Sequence, residues 1–584
     1  MSGLYGVVSN KKYQIENIFN HFYSSFFDKN LKEEYTYKNF IFGRSVINKF
    51  LNDRVLYYND KYIIGFEGIF FNKDDINAYE SIIKLYEKLG INFVKNIDGN
   101  FSGFILNKLS NKLYIYTDHL STRSIFYYYN YNKKVFIFSS EMKVISSLLT
   151  DLKLDKSIDY DGLYSLLLFG FMIDDITILD GIKKLSNSSI IELDIKTFEI
   201  KVFRYYNHIF NSLDINLDEA VRQVDKYLVS AIEREWSKDK EYNYNHYAFL
   251  SGGLDSRTNV LIASELGFSK LLTITFSQIR ADDYKIAKRI ACDFGFENIF
   301  YALIEGSYII KDYYNYILAN DGQSIVIGIA HIYSAMARIN HYKYGLAHSG
   351  QMGDFCFGSW NIKGIDISNN PLRIGYSIYP ELNHKISIFK KIIEREKYNN
   401  NFEIFVFEQR YLNFIFDGDR AISHFTDMSS PFYYKEFFEL CMQLPKKYRY
   451  DNLLYIKWLN KKHKHVLKYK WDHCGLKPTS SFKVKYGKNY LKIKNGILNR
   501  LGYFSREMHP YNVWVNKNNL LRSKFDRLFS VLIEYFPDNE VKNDINNLYL
   551  SNLPYSKYAV ISVLLSINLH LWNIDIDDIE NEIK

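Results

Sequence analysis

The run Tyr247-Ala248-Phe249-Leu250 feeds directly into Ser251-Gly252-Gly253-Leu254-Asp255-Ser256, and Thr258 to Leu266 follows with the spacing of a helix. An apolar strand, a two-glycine turn and a helix in this order point to a strand–loop–helix unit of a parallel sheet. The glycines let the backbone turn tightly beside a ligand, and the N–H groups at the helix start face an anion. The loop lacks both the lysine of a G-x-x-x-x-G-K-[ST] loop and the spacing of G-x-G-x-x-G. Asp255 stands there instead, and a carboxylate beside polyphosphate makes sense with a divalent cation between them. Taken alone, the string also reads as an ordinary strand-to-helix turn.

A second turn of the same type lies further along. Tyr344-Gly345-Leu346-Ala347-His348 leads into Ser349-Gly350-Gln351-Met352-Gly353-Asp354. Two aspartates on neighbouring strand ends can share one Mg2+ with phosphate oxygens, so Asp255 and Asp354 are the expected metal ligands. Leu250, Ser251, Gly252, Gly253, Leu254 and Ser256 are expected around the phosphates, with Ser349 and Gly350 from the second turn. Leu271 to Phe276 reads as the next strand, whose end places Thr275 and Phe276 near the adenine.

The SGGLDS string resembles the pyrophosphate loop of the ATP pyrophosphatase superfamily, and with the second turn it resembles the synthetase domain of asparagine synthetases, where a sequence close to SGEGADE occupies that place. Asp282-Asp283-Tyr284 with Ala287, and Asp427 to Phe432 followed by Gln443-Leu444-Pro445, extend the similarity. Upstream, Glu67 to Asn72, Asn96 to Phe101, Thr117-Asp118 with Arg123 to Tyr127, and Phe138 to Glu141 resemble, in order, the segments of class II glutamine amidotransferases. The resemblance implies an α/β chain: an Ntn-hydrolase-like αββα sandwich over residues 1–210, then a doubly wound parallel-sheet ATP-pyrophosphatase domain over 211–584, mainly helical beyond about residue 371. It also implies ATP and Mg2+ as cofactors, with a carboxylate adenylated, pyrophosphate released and an amide formed with ammonia or an amine.

Departures from the family pattern carry their own expectations. The nucleophile position after Met1 holds Ser2, a far weaker nucleophile than a thiolate. Glu67-Gly68 aligns with the family's oxyanion-binding Asn-Gly, and loss of one such donor costs ~10²–10³ in rate. Arg44 is the sole candidate for a glutamine-carboxylate clamp. The first domain is therefore expected to be a scaffold without glutaminase activity, with Ser2, Glu67 and Gly68 as its vestigial site. In the second domain Gln351 replaces a glutamate and cannot take a proton from an attacking ammonium, which argues against free aspartate. Relatives supply a lysine from a late loop, and Lys470 and Lys477 are the candidates in Lys468 to Pro478. Open substrates are a uronic acid of a surface glycan, a peptide side-chain carboxylate closed onto its own amine as in lasso-peptide cyclases, or a small molecule as in β-lactam synthetases. A glutamine-hydrolysing asparagine synthase and a non-catalytic nucleotide-binding scaffold complete the alternatives, the Asp255 and Asp354 pair arguing against the last.

Composition bounds the remainder. A chain of 584 residues, 47% of them hydrophobic, has room for two or three full domains. Cys292, Cys356, Cys441 and Cys474 lack any C-x-x-C pair, so no zinc site and a reducing compartment are expected. No secretory pattern opens the chain and a cytoplasmic enzyme is expected. The apolar stretch Tyr558 to Trp572 is interrupted by polar residues and reads as a buried helix, not a membrane span. A net charge of +8, with lysines scattered among acids, does not suggest nucleic acid. A homodimer stays open.

Overall fold

The computed structural model describes residues 3–579 apart from 14, 16, 24–29, 73–76, 212, 361–376, 399–401, 501–507, 537–538, 554 and 577–578. The first half holds two six-stranded antiparallel sheets. One runs in the order Ile182–Lys184, Phe126–Asn130, Val135–Ser139, Gly3–Ser9, Phe40–Val46 and Leu31–Tyr37. The other is ordered Ile200–Arg204, Ser189–Asp194, Lys112–Thr117, Gly99–Asn107, Tyr62–Phe70 and Val55–Tyr58. Alternate residues of each strand face inward, so Leu4, Val8, Phe42 and Phe138 meet Ile63, Phe104, Leu106 and Ile115 in one core. The Phe42 and Phe104 rings stack across it at 5.1 Å. Helix Ala78–Leu89 covers the second sheet, and helices Met142–Asp151 and Tyr160–Phe169 cover the first, completing an αββα sandwich.

The second half is built on a five-stranded parallel sheet ordered Glu297–Ala302, Leu272–Ser277, Asn245–Phe249, Tyr344–His348 and Met428–Ser429. The strand order reverses on either side of the central Asn245–Phe249, which opens a crevice at the carboxyl ends of the strands. Helix Leu217–Glu241, capped by the Asn216 side chain on Glu219 N–H at 2.9 Å, runs along this sheet. The chain beyond the sheet is mainly helical, and Ser556–Ile567 is buried apart from Lys557, as its apolar run requires. No helix among the described residues is long and apolar enough to cross a membrane.

The sandwich and the parallel sheet are joined through buried charge. Arg54 binds Glu67 within the sandwich and Asp427 beside the last strand of the sheet, and Arg123 binds the same Asp427. Lys49 Nζ donates to the carbonyls of Tyr344 and Gly345 at 2.6 and 3.0 Å and to Thr426 Oγ1 at 2.7 Å. From the long helix, Lys238 Nζ reaches Asp53 Oδ1 at 2.9 Å and the Phe70 carbonyl at 2.8 Å.

Candidate functional site

The loop between strand Asn245–Phe249 and helix Leu254–Glu265 is closed by its own serines. Ser251 Oγ and Ser256 Oγ lie 2.9 Å apart, and Gly253 N–H donates to Ser251 Oγ at 3.0 Å. Gly252 N–H donates to Asp283 Oδ1 at 3.1 Å, from the first turn of helix Asp282–Phe294. Thr275 is committed to the fold of this loop, its hydroxyl donating to the Leu250 carbonyl at 2.8 Å. The Phe276 ring packs edge-on against Phe249 at 5.8 Å and near His331 at 5.1 Å. Asp255 sits in the first helical turn, half-buried, where burial and the charges of Asp354 and Asp472 push its pKa up to about 8.

The second turn packs straight onto the first. A Cβ on Gly350 would lie 2.3 Å from the Ser256 backbone nitrogen, and one on Gly353 2.5 Å from Asp255 Cγ. Met352 between them takes the left-handed conformation, φ 68°. Asn259 of the loop helix donates to the Ser349 carbonyl at 2.8 Å and fastens the two turns from behind. His348 is stacked on Trp236 at 4.1 Å, and Asp239 accepts from His348 and His246 at 2.9 and 2.8 Å in a wholly buried group under the turn. Asp354 is exposed at the mouth of the crevice, and Gln351 Nε2 is turned away to the Ile415 carbonyl at 2.8 Å.

The late segment also reaches the loop, but not through a lysine. Buried Arg257 donates to the carbonyls of Gly252 at 2.6 Å, Gly253 at 3.0 Å, Lys470 at 2.6 Å and Tyr469 at 3.3 Å, and so binds Tyr469 to Asp472 onto the phosphate loop. The side chains of Lys470 and Lys477 are both exposed, and Lys470 serves the site through its backbone. The side chain that faces the loop is Asp472: its Cβ lies 2.9 Å from where Gly252 would carry one. Asp472 Oδ1 is buried without a hydrogen-bond partner, and burial beside Asp283 raises its pKa to about 7. Arg257, Asp283 and Asp472 are thus functional candidates that the motifs alone did not single out. Asp283 lies in the Asp282 to Tyr284 segment already named for its resemblance, a signal that was present; Arg257 and Asp472 depend on packing between distant segments.

This donor set fits a divalent cation. Asp255 and Asp354 offer carboxylate oxygens across one crevice, and glycines at 252, 253 and 350 keep side chains off the floor. Such oxygen-only sites suit magnesium with phosphate.

In the sandwich, Ser2 lies outside the described residues. Glu67 is fully buried against Arg54, and Gly68 at φ 130° sits where a Cβ would be 2.0 Å from the Asn100 carbonyl oxygen, so no other residue fits there. Arg44 is paired with Glu33 at 2.5 Å.

Comparison with known proteins matches residues 69–206 to the glutamine amidotransferase domain family and 223–382 to the asparagine synthase family. A putative asparagine synthetase [glutamine-hydrolyzing] 2 of Methanocaldococcus jannaschii is 28% identical over 240 residues, 38% of this chain and 45% of that protein. A probable asparagine synthetase [glutamine-hydrolyzing] of Acanthamoeba polyphaga mimivirus is 23% identical over 38% of this chain and 37% of its own length. Asparagine synthetase [glutamine-hydrolyzing] 2 of Bacillus subtilis is 26% identical over 41% of this chain and 33% of its own length. The matched stretches span less than half the length of each of these relatives.

Proposed function

We propose that the chain, which matches the glutamine amidotransferase domain family over residues 69–206 and the asparagine synthase family over residues 223–382, is an ATP-dependent ligase that adenylates a carboxylate and converts it to an amide. The supporting observation is the pairing of Asp255 and Asp354 across the crevice above a glycine-lined loop at the strand ends. The carboxylate oxygen attacks the α-phosphorus, the bond to the β-phosphate breaks and pyrophosphate leaves. Ammonia or an amine then attacks the acyl carbon and AMP leaves with the bonding electrons. Magnesium bound there would neutralise the leaving pyrophosphate and polarise the α-phosphate. Asp255 and Asp354 would hold it, while the N–H groups at the start of helix Leu254–Glu265 would face the phosphate oxygens.

Gln351 is held by the Ile415 carbonyl and has no basic atom to accept a proton, so the nucleophile arrives as the neutral amine. That favours an acceptor other than free aspartate, with a glycan uronic acid and a peptide side chain as the two classes to be separated. The sandwich, with its boundary near residue 210, acts in this reading as a scaffold without glutaminase activity, because Glu67 occupies the oxyanion-donor position as the counterion of Arg54. The four cysteines are free, in keeping with a cytoplasmic place of work where ATP is supplied.

The test is pyrophosphate release from ATP and Mg2+ across aspartate, uronic acids and side-chain carboxylate peptides, each with glutamine, ammonium or no nitrogen source. Release with one acid, lost in Asp255→Asn, is the expected result. Aspartate turnover dependent on glutamine would replace this reading with a glutamine-hydrolysing asparagine synthase. Silence with every acid alongside tight ATP binding would leave only a nucleotide-binding scaffold.

A further inference from the structure

Asp354 is held by a stretch that carries no sequence motif. Val406–Ile415 forms a π-helix of ten residues, a wide-turn geometry that is rare, short-lived in most chains and concentrated at functional sites. It meets the second turn at two places. Gln351 Nε2 donates to the Ile415 carbonyl at 2.8 Å, and Tyr411 Oη lies 2.9 Å from both oxygens of Asp354. Behind the phenol, Trp360 Nε1 is 3.0 Å from Tyr411 Oη. An indole N–H can only donate, so the phenol oxygen accepts from Trp360 and its own proton is directed at the carboxylate. The order Trp360 to Tyr411 to Asp354 therefore runs one way.

The surroundings fix this relay. Tyr411 is 3% exposed, and its ring lies 4.8 Å from that of Phe355, the residue directly after Asp354. Phe355 N–H donates to Asp354 Oδ1 at 2.8 Å, so the carboxylate is held by a donor on each side while its outer face stays open to the crevice. A carboxylate that must meet a cation gains affinity when its orientation is set beforehand by hydrogen bonds from outside the coordination sphere.

We propose that the π-helix is the positioning device for the cation-binding carboxylate of the phosphate site, with Tyr411 as the positioning residue and Trp360 as the group that orients it. This rests on the ligase reading above, in which Asp354 binds the divalent cation with the nucleotide. Tyr411 touches neither substrate nor cation; it acts through Asp354. The same helix holds Gln351, so the acceptor side and the metal side of the site are set by one rigid element. A π-helix costs backbone stability relative to an α-helix, and its retention at the point of contact with the crevice is what this role accounts for.

The experiment uses the full chain with the non-cleavable analogue α,β-methylene-ATP and Mn2+ as a paramagnetic probe, bound metal being counted by electron paramagnetic resonance. Wild type binds Mn2+ with the nucleotide, and Asp354→Asn does not. Tyr411→Phe, which keeps the ring on Phe355 and removes the hydroxyl, weakens Mn2+ binding ~10–100-fold. Trp360→Phe gives a smaller loss in the same direction. Melting temperature and affinity for the analogue without metal stay at wild-type values in both, a pattern that general loosening of the fold does not produce. Unchanged Mn2+ affinity in Tyr411→Phe, with wild type binding normally, would overturn the positioning role alone. Absence of Mn2+ binding by wild type itself would instead overturn the ligase reading beneath it.

Discussion

Glu67 Oε1 lies 2.9 Å from Arg54 Nε, with both side chains wholly withdrawn from solvent. The Glu67 carboxylate is therefore the counterion of a buried arginine. Breaking one side of a buried pair leaves an uncompensated charge, at a cost of ~3–5 kcal/mol. Glu67→Gln is accordingly expected to lower the melting temperature markedly. Glutamate release from added glutamine should stay at background in wild type and in Glu67→Asn alike; a gain of glutaminase in the latter would show that this residue alone had silenced the sandwich.

The pKa of Asp255, raised from 3.8 to about 8, makes stability depend on pH in a definite direction. The folded chain keeps a proton that the unfolded chain gives up, so stability is greatest below the unfolded value and falls as pH rises towards the folded one. Without divalent cation the melting temperature should fall between about pH 5 and pH 8, and Mg2+ with nucleotide should restore it most at the alkaline end. Asp255→Asn should flatten the cation-free profile and abolish the Mg2+ effect. A profile of equal slope in wild type and variant would assign the titration elsewhere.

Arg257 spans four carbonyls from two segments, a geometry that a lysine cannot reproduce. Arg257→Lys is expected to loosen the stretch from Tyr469 to Asp472, raising KM for ATP more than it lowers kcat. Limited proteolysis should then cut near residue 470, where wild type resists. Equal proteolysis of the two would mean that the segment is held by something other than this guanidinium.

Gly350 leaves no room for a methyl group, since the neighbour at 2.3 Å is backbone. Gly350→Ala should force the two turns apart and separate Asp354 from Asp255. Binding of the ATP analogue in the presence of Mg2+, followed by calorimetry, should weaken by at least ~10-fold, equivalent to about 1.4 kcal/mol. Affinity unchanged from wild type would place the nucleotide away from the second turn.

The strand–loop–helix around Asp255 and the second turn ending at Asp354 were legible because local pattern decides them: apolar runs of strand length, glycines at the bends, a carboxylate at the end. The two-sheet sandwich was legible through family resemblance more than through periodicity. Asp472 was not, because the segment from Lys468 to Pro478 has no period, and only contact with Gly252 shows which of its charged residues points inward. The lysines there are exposed, and charge type in the sequence does not say which side chain of the segment turns inward. Nor does the sequence from Val406 to Ile415 distinguish a π-helix from an α-helix, and the contacts of Tyr411 with Asp354 and of Ile415 with Gln351 join segments far apart in the chain. Glu67 was visible as a departure, whereas its partner Arg54 was invisible until the fold brought them together.

Asp427 belongs to the parallel sheet, yet its two guanidinium partners, Arg54 and Arg123, belong to the sandwich. Charge balance is thus not closed within either half of the chain. A version lacking the first half would leave Asp427 without either guanidinium beside the last strand of its sheet, and a version lacking the second would take Asp427 from Arg123 and leave Arg54 with Glu67 alone. The first half could therefore not simply be deleted in the course of descent: it would persist as the electrical complement of the half built on the parallel sheet.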